Sequence, residues 1–152
     1  MRLLDVIPKE AVLPDLRTSD KKGTLEELAA PLAPVAGVEP SELVRILMER
    51  EQLGSTGIGN GVGIPHGKLK GLDTLYIGFG RSRNGVRFDS LDGRPVHLFF
   101  LLITPEDSTG IHLKILAQLS KYLRDEHFRE QLLQAETPED ILAVIEAKDE
   151  DF

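Results

Sequence analysis

The stretch "SLDGRPVHLFFLLITP", residues 90–105, carries an apolar run from Val96 to Ile103 in which His97 is the one polar residue. A strand with one wet face alternates in polarity, whereas a near-continuous apolar strand is covered on both faces. The run is therefore expected to be a central strand, entered through a turn at Asp92-Gly93. Just upstream, "LDTLYIGFGRS" (72–82) alternates as a strand does, and Asn84-Gly85 is a strong two-residue hairpin signal before "VRF" (86–88).

Helical periodicity surrounds these strands. Leu25, Leu28 and Leu32 predict a helix of about ten residues within 18–34, ended by Pro34 and Gly37. Residues 38–52 predict a second, with Pro40 near its first turn and Leu43, Ile46, Leu47 and Arg50 along one face. After Ser108 three helices are expected, over 108–125, 126–135 and 137–147. The last opens with Thr137 at the N-cap, Pro138 and Asp140, like a capping box with Asp in place of Glu. Residues 148–152 are expected to fray. The pattern describes a single α/β domain spanning 1–152.

Composition narrows the function. The 152 residues include 18 basic and 25 acidic side chains, a formal charge of −7, and no cysteine. A duplex-binding protein needs a basic footprint; the nearest cluster, "RSRNGVR" (81–87), reads as a turn, so nucleic acid is not expected. No cysteine means no disulfide, thiolate metal site or phosphocysteine. No apolar run approaches the roughly 20 residues a membrane helix needs, and the N-terminus lacks a secretory signal pattern. A cytoplasmic protein without metal or cofactor is expected.

The chemistry concentrates in "LGSTGIGNGVGIPHGKLK" (53–70), where six glycines fall within the fourteen positions from Gly54 to Gly67. Phosphate-loop, dinucleotide, zinc-hydrolase and serine-hydrolase motifs all fail against it. What remains is a glycine loop delivering His66. Its amides are expected to form an anion-binding nest, beside which an imidazole nucleophile suits transient carriage of a phosphoryl group. His112, in the first turn of its helix, is disfavoured as a cation and is expected to donate a hydrogen bond to a phosphoryl oxygen. Arg50, four residues before Gly54, is expected as a charge clamp or loop support. Lys68 is expected only to steer anions, His97 to be structural and His127 solvated.

"LMEREQLGSTGIGNGVGIPHGK" (47–68) together with "DGRPVHLFFLLITPED…HLKILAQLS" (92–120) resembles the enzyme IIA domain of the fructose/mannitol class of the bacterial phosphotransferase system. Its similarity is greatest to the stand-alone, nitrogen-regulatory branch. The resemblance implies a mixed β-sheet flanked by helices and phosphorylation by HPr or its nitrogen-branch relative. It implies His66 as the phosphorylated residue, through a tele-phosphohistidine intermediate, with His112 and Arg50 as its active-site partners. Gly63 departs from the alanine usual in that family, and Gly110-Ile111 is a variable stretch.

Two rival readings accompany that expectation. One is a sugar-specific IIA component donating to a separate IIB protein, since that class carries the phosphoryl group on a cysteine absent here. The other is a regulatory module whose loop docks partners without turnover.

Overall fold

Strand β6 (Val96–Pro105) organises the fold. Along it Leu98, Phe100 and Leu102 belong to one core cluster, and Phe99, Leu101 and Ile103 to another. Period-two side-chain placement thus puts a separate hydrophobic core on each face of the sheet. The computed structural model describes residues 1–151.

The chain begins with two short 3₁₀ turns, Leu3–Val6 and Lys9–Ala11, and strand β1 (Val12–Leu13). Helices α1 (Lys21–Ala36) and α2 (Pro40–Gln52) cover one face, burying Leu25, Leu28, Leu32, Leu43 and Leu47. Strands β2 (Gly57–Gly59), β3 (Val62–Gly63), β4 (His66–Leu69) and β5 (Tyr76–Val86) precede β6. Helices α3 (Thr109–Leu123), α4 (Glu126–Gln134) and α5 (Pro138–Asp151) cover the other face. The strand order is β1-β5-β6-β3-β2, with β4 also paired to β6. β6 runs antiparallel to β5 and parallel to β3 and β4. The result is the expected α/β domain with a mixed, helix-flanked sheet.

Two local expectations are corrected. Asn84-Gly85 does not reverse the chain: β5 continues to Val86, opposite Val96, and the irregularity between Arg81 and Val86 absorbs the dipeptide as a bulge. The reversal lies at the Asp92-Gly93 turn, where Gly93 N–H donates to Ser90 C=O at 2.9 Å. Pro34 does not end α1, which carries both Pro31 and Pro34 inside it and stops at Gly37. Burial of Leu32 and Ala33 offsets the two missing amide donors. Residues 148–151 fall in the stretch expected to fray. They continue α5, and Asp149 accepts from the Leu3 and Leu4 amides at 3.0 and 2.9 Å and from the Tyr122 hydroxyl at 2.6 Å. Phe152 lies outside the described residues.

The cap on α5 forms as expected. Asp140 N–H donates to Thr137 Oγ1 at 3.1 Å and Thr137 N–H to Asp140 Oδ2 at 3.4 Å. Across the sheet, Arg81 is fully buried on β5 and caps the end of α4 through the carbonyls of Leu132, Leu133 and Ala135. It replaces water at carbonyls a helix end leaves open.

Gly85 and Gly93 have φ of +90° and +72°. A Cβ on Gly85 would lie 2.7 Å from Pro95 Cβ, while one on Gly93 would meet nothing within 4 Å. Gly93→Ala should therefore cost about 1 kcal/mol of backbone strain, and Gly85→Ala about twice that or more. Urea unfolding midpoints measure the difference, and equal losses would contradict the bulge packing described here.

Candidate functional site

The glycine-rich stretch folds as a β-hairpin rather than an open loop. β2 and β3 pair antiparallel with Gly57 opposite Gly63 and Gly59 opposite Val62, leaving Asn60-Gly61 as the two-residue turn. Both have positive φ, +58° and +75°, as a type I′ turn requires. The hairpin leaves its amides at Gly57, Gly59 and Asn60 out of the expected anion nest. Gly57 N–H donates to Ser55 Oγ, Gly59 N–H to Ser90 Oγ and Asn60 N–H to Asp92 Oδ2, at 3.0, 3.2 and 3.2 Å. Those amides have no donor left for an anion. Close approach explains glycine at two other positions: a Cβ on Gly57 would sit 3.0 Å from Ser90, and one on Gly67 2.7 Å from Ile46. Gly63 has an ordinary φ, and a methyl there would press on Phe99 at 3.3 Å.

The hairpin delivers the chain to Ile64-Pro65, which interrupts the pairing with β6 before β4 resumes it, with His66 opposite Leu102. Ile64 C=O accepts from His66 Nδ1 at 2.8 Å. A carbonyl only accepts, so Nδ1 carries the proton and the neutral ring keeps its lone pair on Nε2. Arg50, in the last turn of α2, donates from Nε to that Nε2 at 3.2 Å and from Nη1 to Gly54 C=O at 2.8 Å. It both meets the histidine and holds the loop.

His112 enters from α3. Its ring centroid lies 5.3 Å from that of His66, tilted by 60°, and its Nδ1 is 2.6 Å from Thr104 Oγ1 on β6. Lys68 Nζ donates to Thr109 Oγ1 at 3.1 Å, beside the start of the same helix. Arg50, His66, Lys68 and His112 thus line one cleft of about 380 Å³, with Leu53, 85% exposed, at its margin. His97 and His127 stay outside it: His97 Nδ1 is tied to Ser82 C=O at 2.8 Å and His127 is exposed on α4.

The sequence reading missed the loop's buried anchor. Glu51 is 6% exposed, accepts from the amide and hydroxyl of Thr56, and pairs with Lys21 at 3.1 Å. Thr56 C=O then accepts from Ile64 N–H at 3.0 Å. Connected contacts therefore run from an internal ion pair to the carbonyl that orients His66. The available signal was spacing, because Leu43, Leu47 and Glu51 recur every four residues on the buried stripe of α2. Thr104, also missed, gave no comparable signal.

Burial first, then the Arg50 charge, lowers the pKa of His66, against an opposing pull from its bond to Ile64 and from Glu51. Burial, with help from His66 and Lys68, lowers His112 to about 4. Both rings are accordingly neutral near pH 7. No group of three or more His, Asp or Glu among the described residues is arranged to hold a metal ion.

With this geometry in place, comparison with known proteins assigns the class. Residues 5–148 match the family model described as "Phosphoenolpyruvate-dependent sugar phosphotransferase system, EIIA 2". The chain belongs to that family of phosphoryl-transfer carriers. A nitrogen regulatory protein of Bradyrhizobium diazoefficiens is 39% identical over 145 residues, covering 95% of each chain. The fructose-specific EIIABC component of Bacillus subtilis is 33% identical over 98% of this chain, which spans 24% of that longer protein. The crystal structure of nitrogen regulatory protein IIA-Ntr from Neisseria meningitidis superposes with a TM-score of 0.89 at 34% identity, covering 94% of this chain and 98% of that one. The Escherichia coli mannitol IIA, solved in complex with phosphorylated IIB, shares the fold at a TM-score of 0.77 and 21% identity, covering 91% of this chain and 95% of that one. The nitrogen-regulatory relatives make the phosphocarrier reading of that branch the main one. No helix among the described residues is long and apolar enough to cross a membrane.

The downward shifts have a definite sign. In the unfolded chain each imidazole takes up its proton near 6.5, whereas in the folded protein it does so at lower pH, so acid favours unfolding below 6.5. For His112 that loss of stability grows from 6.5 down to about 4 and then levels off. Nuclear magnetic resonance titration should give a midpoint near 4 for His112 and one below 6.5 for His66. A midpoint at or above 6.5 for either ring would contradict this electrostatic account.

Proposed function

We propose that His66 Nε2 is the phosphoryl acceptor and that the protein is a regulatory phosphocarrier. The observation carrying this reading is the 2.8 Å contact between His66 Nδ1 and Ile64 C=O. It commits one nitrogen as a donor and leaves the other as a nucleophile in an open cleft. The donor is HPr or its nitrogen-branch relative, carrying the group on a phosphohistidine. Arg50 Nε–H, which donates to Nε2 at 3.2 Å, releases it as the donor arrives. The freed Nε2 lone pair attacks phosphorus while the donor's P–N bond breaks, and that bond's electron pair returns to the donor nitrogen. Arg50 then meets the phosphoryl oxygens from the position it already holds beside Nε2. His112 donates a hydrogen bond to another oxygen. No metal or cofactor enters the step, and a carrier drawing on phosphoenolpyruvate operates in the cytoplasm.

The downstream partner is proposed to be a regulatory protein that distinguishes the two forms at this surface. A phosphoryl group adds about 1.5–2 negative charges, which apolar or acidic partners must desolvate or repel and basic ones gain from. The second reading, a sugar-specific IIA donating to a IIB protein, is favoured by the fructose-component relative and by the mannitol IIA that was solved with its phosphorylated IIB. A non-catalytic docking module is the remaining rival.

Incubation with phosphoenolpyruvate, enzyme I and HPr, followed by intact mass, should add one phosphoryl group to the wild type and none to His66→Ala. Incorporation into His66→Ala would remove His66 from its role, and no incorporation into the wild type would favour the docking module. Arg50→Lys retains charge but loses the geometry that spans His66 and Gly54, and it should slow phosphorylation by about tenfold or more. A rate equal to wild type would return Arg50 to an ordinary helix-end residue.

A further inference from the structure

The two histidines of the cleft have the same side chain but are held in different ways. His66 is fixed by a carbonyl, a pure acceptor, so its proton sits on Nδ1. His112 is fixed through the same ring position by a hydroxyl, which can either donate or accept. The hydrogen inventory decides between the two. Thr104 is 0% exposed, and among the described residues its Oγ1 has His112 Nδ1 as its one side-chain hydrogen-bond partner. If His112 donated to Oγ1, the hydroxyl proton would be buried without an acceptor. If the hydroxyl donates, both atoms are satisfied.

The far side of the ring agrees. Among the described residues His112 Nε2 has no hydrogen-bond partner, yet it is not a buried unpartnered atom; Arg81 Nη2 is the one such side-chain atom among them. Nε2 therefore reaches accessible space, and the ring helps to line the cleft that holds His66. Sheet register accounts for the placement. Thr104 follows Leu98, Phe100 and Leu102 on the face covered by α3, and it pairs with Lys68, two residues beyond His66 on β4.

We infer that Thr104 is a positioning residue whose hydroxyl donates to His112 Nδ1 and holds that ring as the Nε2–H tautomer, opposite to the tautomer of His66. Once Arg50 Nε–H leaves His66 Nε2 for the phosphoryl oxygens, the cleft presents one lone pair and one N–H side by side, the pairing an incoming phosphoryl group needs: a nucleophile for phosphorus and a donor for oxygen. The inference deepens the phosphoryl-acceptor reading and rests on it for its chemical purpose, though the tautomer itself is observable without any donor.

The test uses the whole protein with ¹⁵N-labelled histidine near pH 7.5, as wild type, Thr104→Val and Thr104→Ser. In wild type the ring shifts should show Nδ1 bare and Nε2 protonated for His112, and the reverse for His66. Thr104→Val, close in volume but without the hydroxyl, should shift His112 toward the Nδ1–H form and slow phosphoryl exchange with HPr roughly tenfold. Thr104→Ser should restore both readouts, and unchanged His66 shifts in each variant report an intact fold. An Nδ1–H tautomer for His112 in wild type overturns the inference outright, however the valine variant folds. So does a valine variant whose His112 signals match wild type. Failure of wild type to take up phosphate would instead defeat the functional reading and leave the tautomer assignment standing.

Discussion

The hydrogen bond from His66 Nδ1 to the Ile64 carbonyl is the contact on which the site depends. It exists because the chain stops pairing with β6 for two residues between β3 and β4. Proline at 65 has no N–H to give to a ladder, so an interruption there sacrifices little. The break leaves the Ile64 carbonyl available to the ring two residues on, while Leu102 N–H still reaches Pro65 C=O at 2.9 Å and keeps the strand in line. A mixed sheet with two separate cores provides the stiffness, and one missing pair of contacts provides the orientation.

Helix α2 holds both ends of that arrangement through consecutive residues. Arg50 grips His66 and Gly54 at the surface, while Glu51 grips Thr56 inside. Thr56 passes the constraint to Ile64 through a backbone bond. A buried carboxylate stripped of its cation is worth several kcal/mol of destabilisation, so Lys21 ties α1 into the same assembly. The His66 ring is thus located by elements from both sides of the sheet, with α3 supplying His112.

Much of this was legible in the sequence because burial and periodicity coincide. The run at 96–103 announced a doubly covered strand, and helix positions followed from leucine spacing. His66, His112 and Arg50, picked out one at a time, do meet in one cleft. The failures share a physical cause. Two Asn-Gly dipeptides carry the same local signal, but 60–61 turns a hairpin while 84–85 makes a bulge, because a longer-range partner, β6, continues to pair beyond the second. The glycines looked like an anion nest because local sequence does not reveal that Ser55, Ser90 and Asp92 take their amides. Thr104 could not be found at all: a threonine in a strand is unremarked until the helix following it brings an imidazole to its hydroxyl.

The broken strand also governs how the family's chain length can drift. Extra residues at the Asn60-Gly61 tip would lengthen a hairpin whose turn lies outside the cleft, leaving β4 in place against β6. One extra residue between Val62 and His66 is a different matter. Strand side chains alternate with period two, so a single-residue slip of β4 would exchange the faces of its residues. His66 would then face Ile46 on α2, where Gly67 now fits only because it lacks a side chain. Insertions should therefore accumulate at the tip and be purged a few residues later, though both places belong to the same glycine-rich stretch.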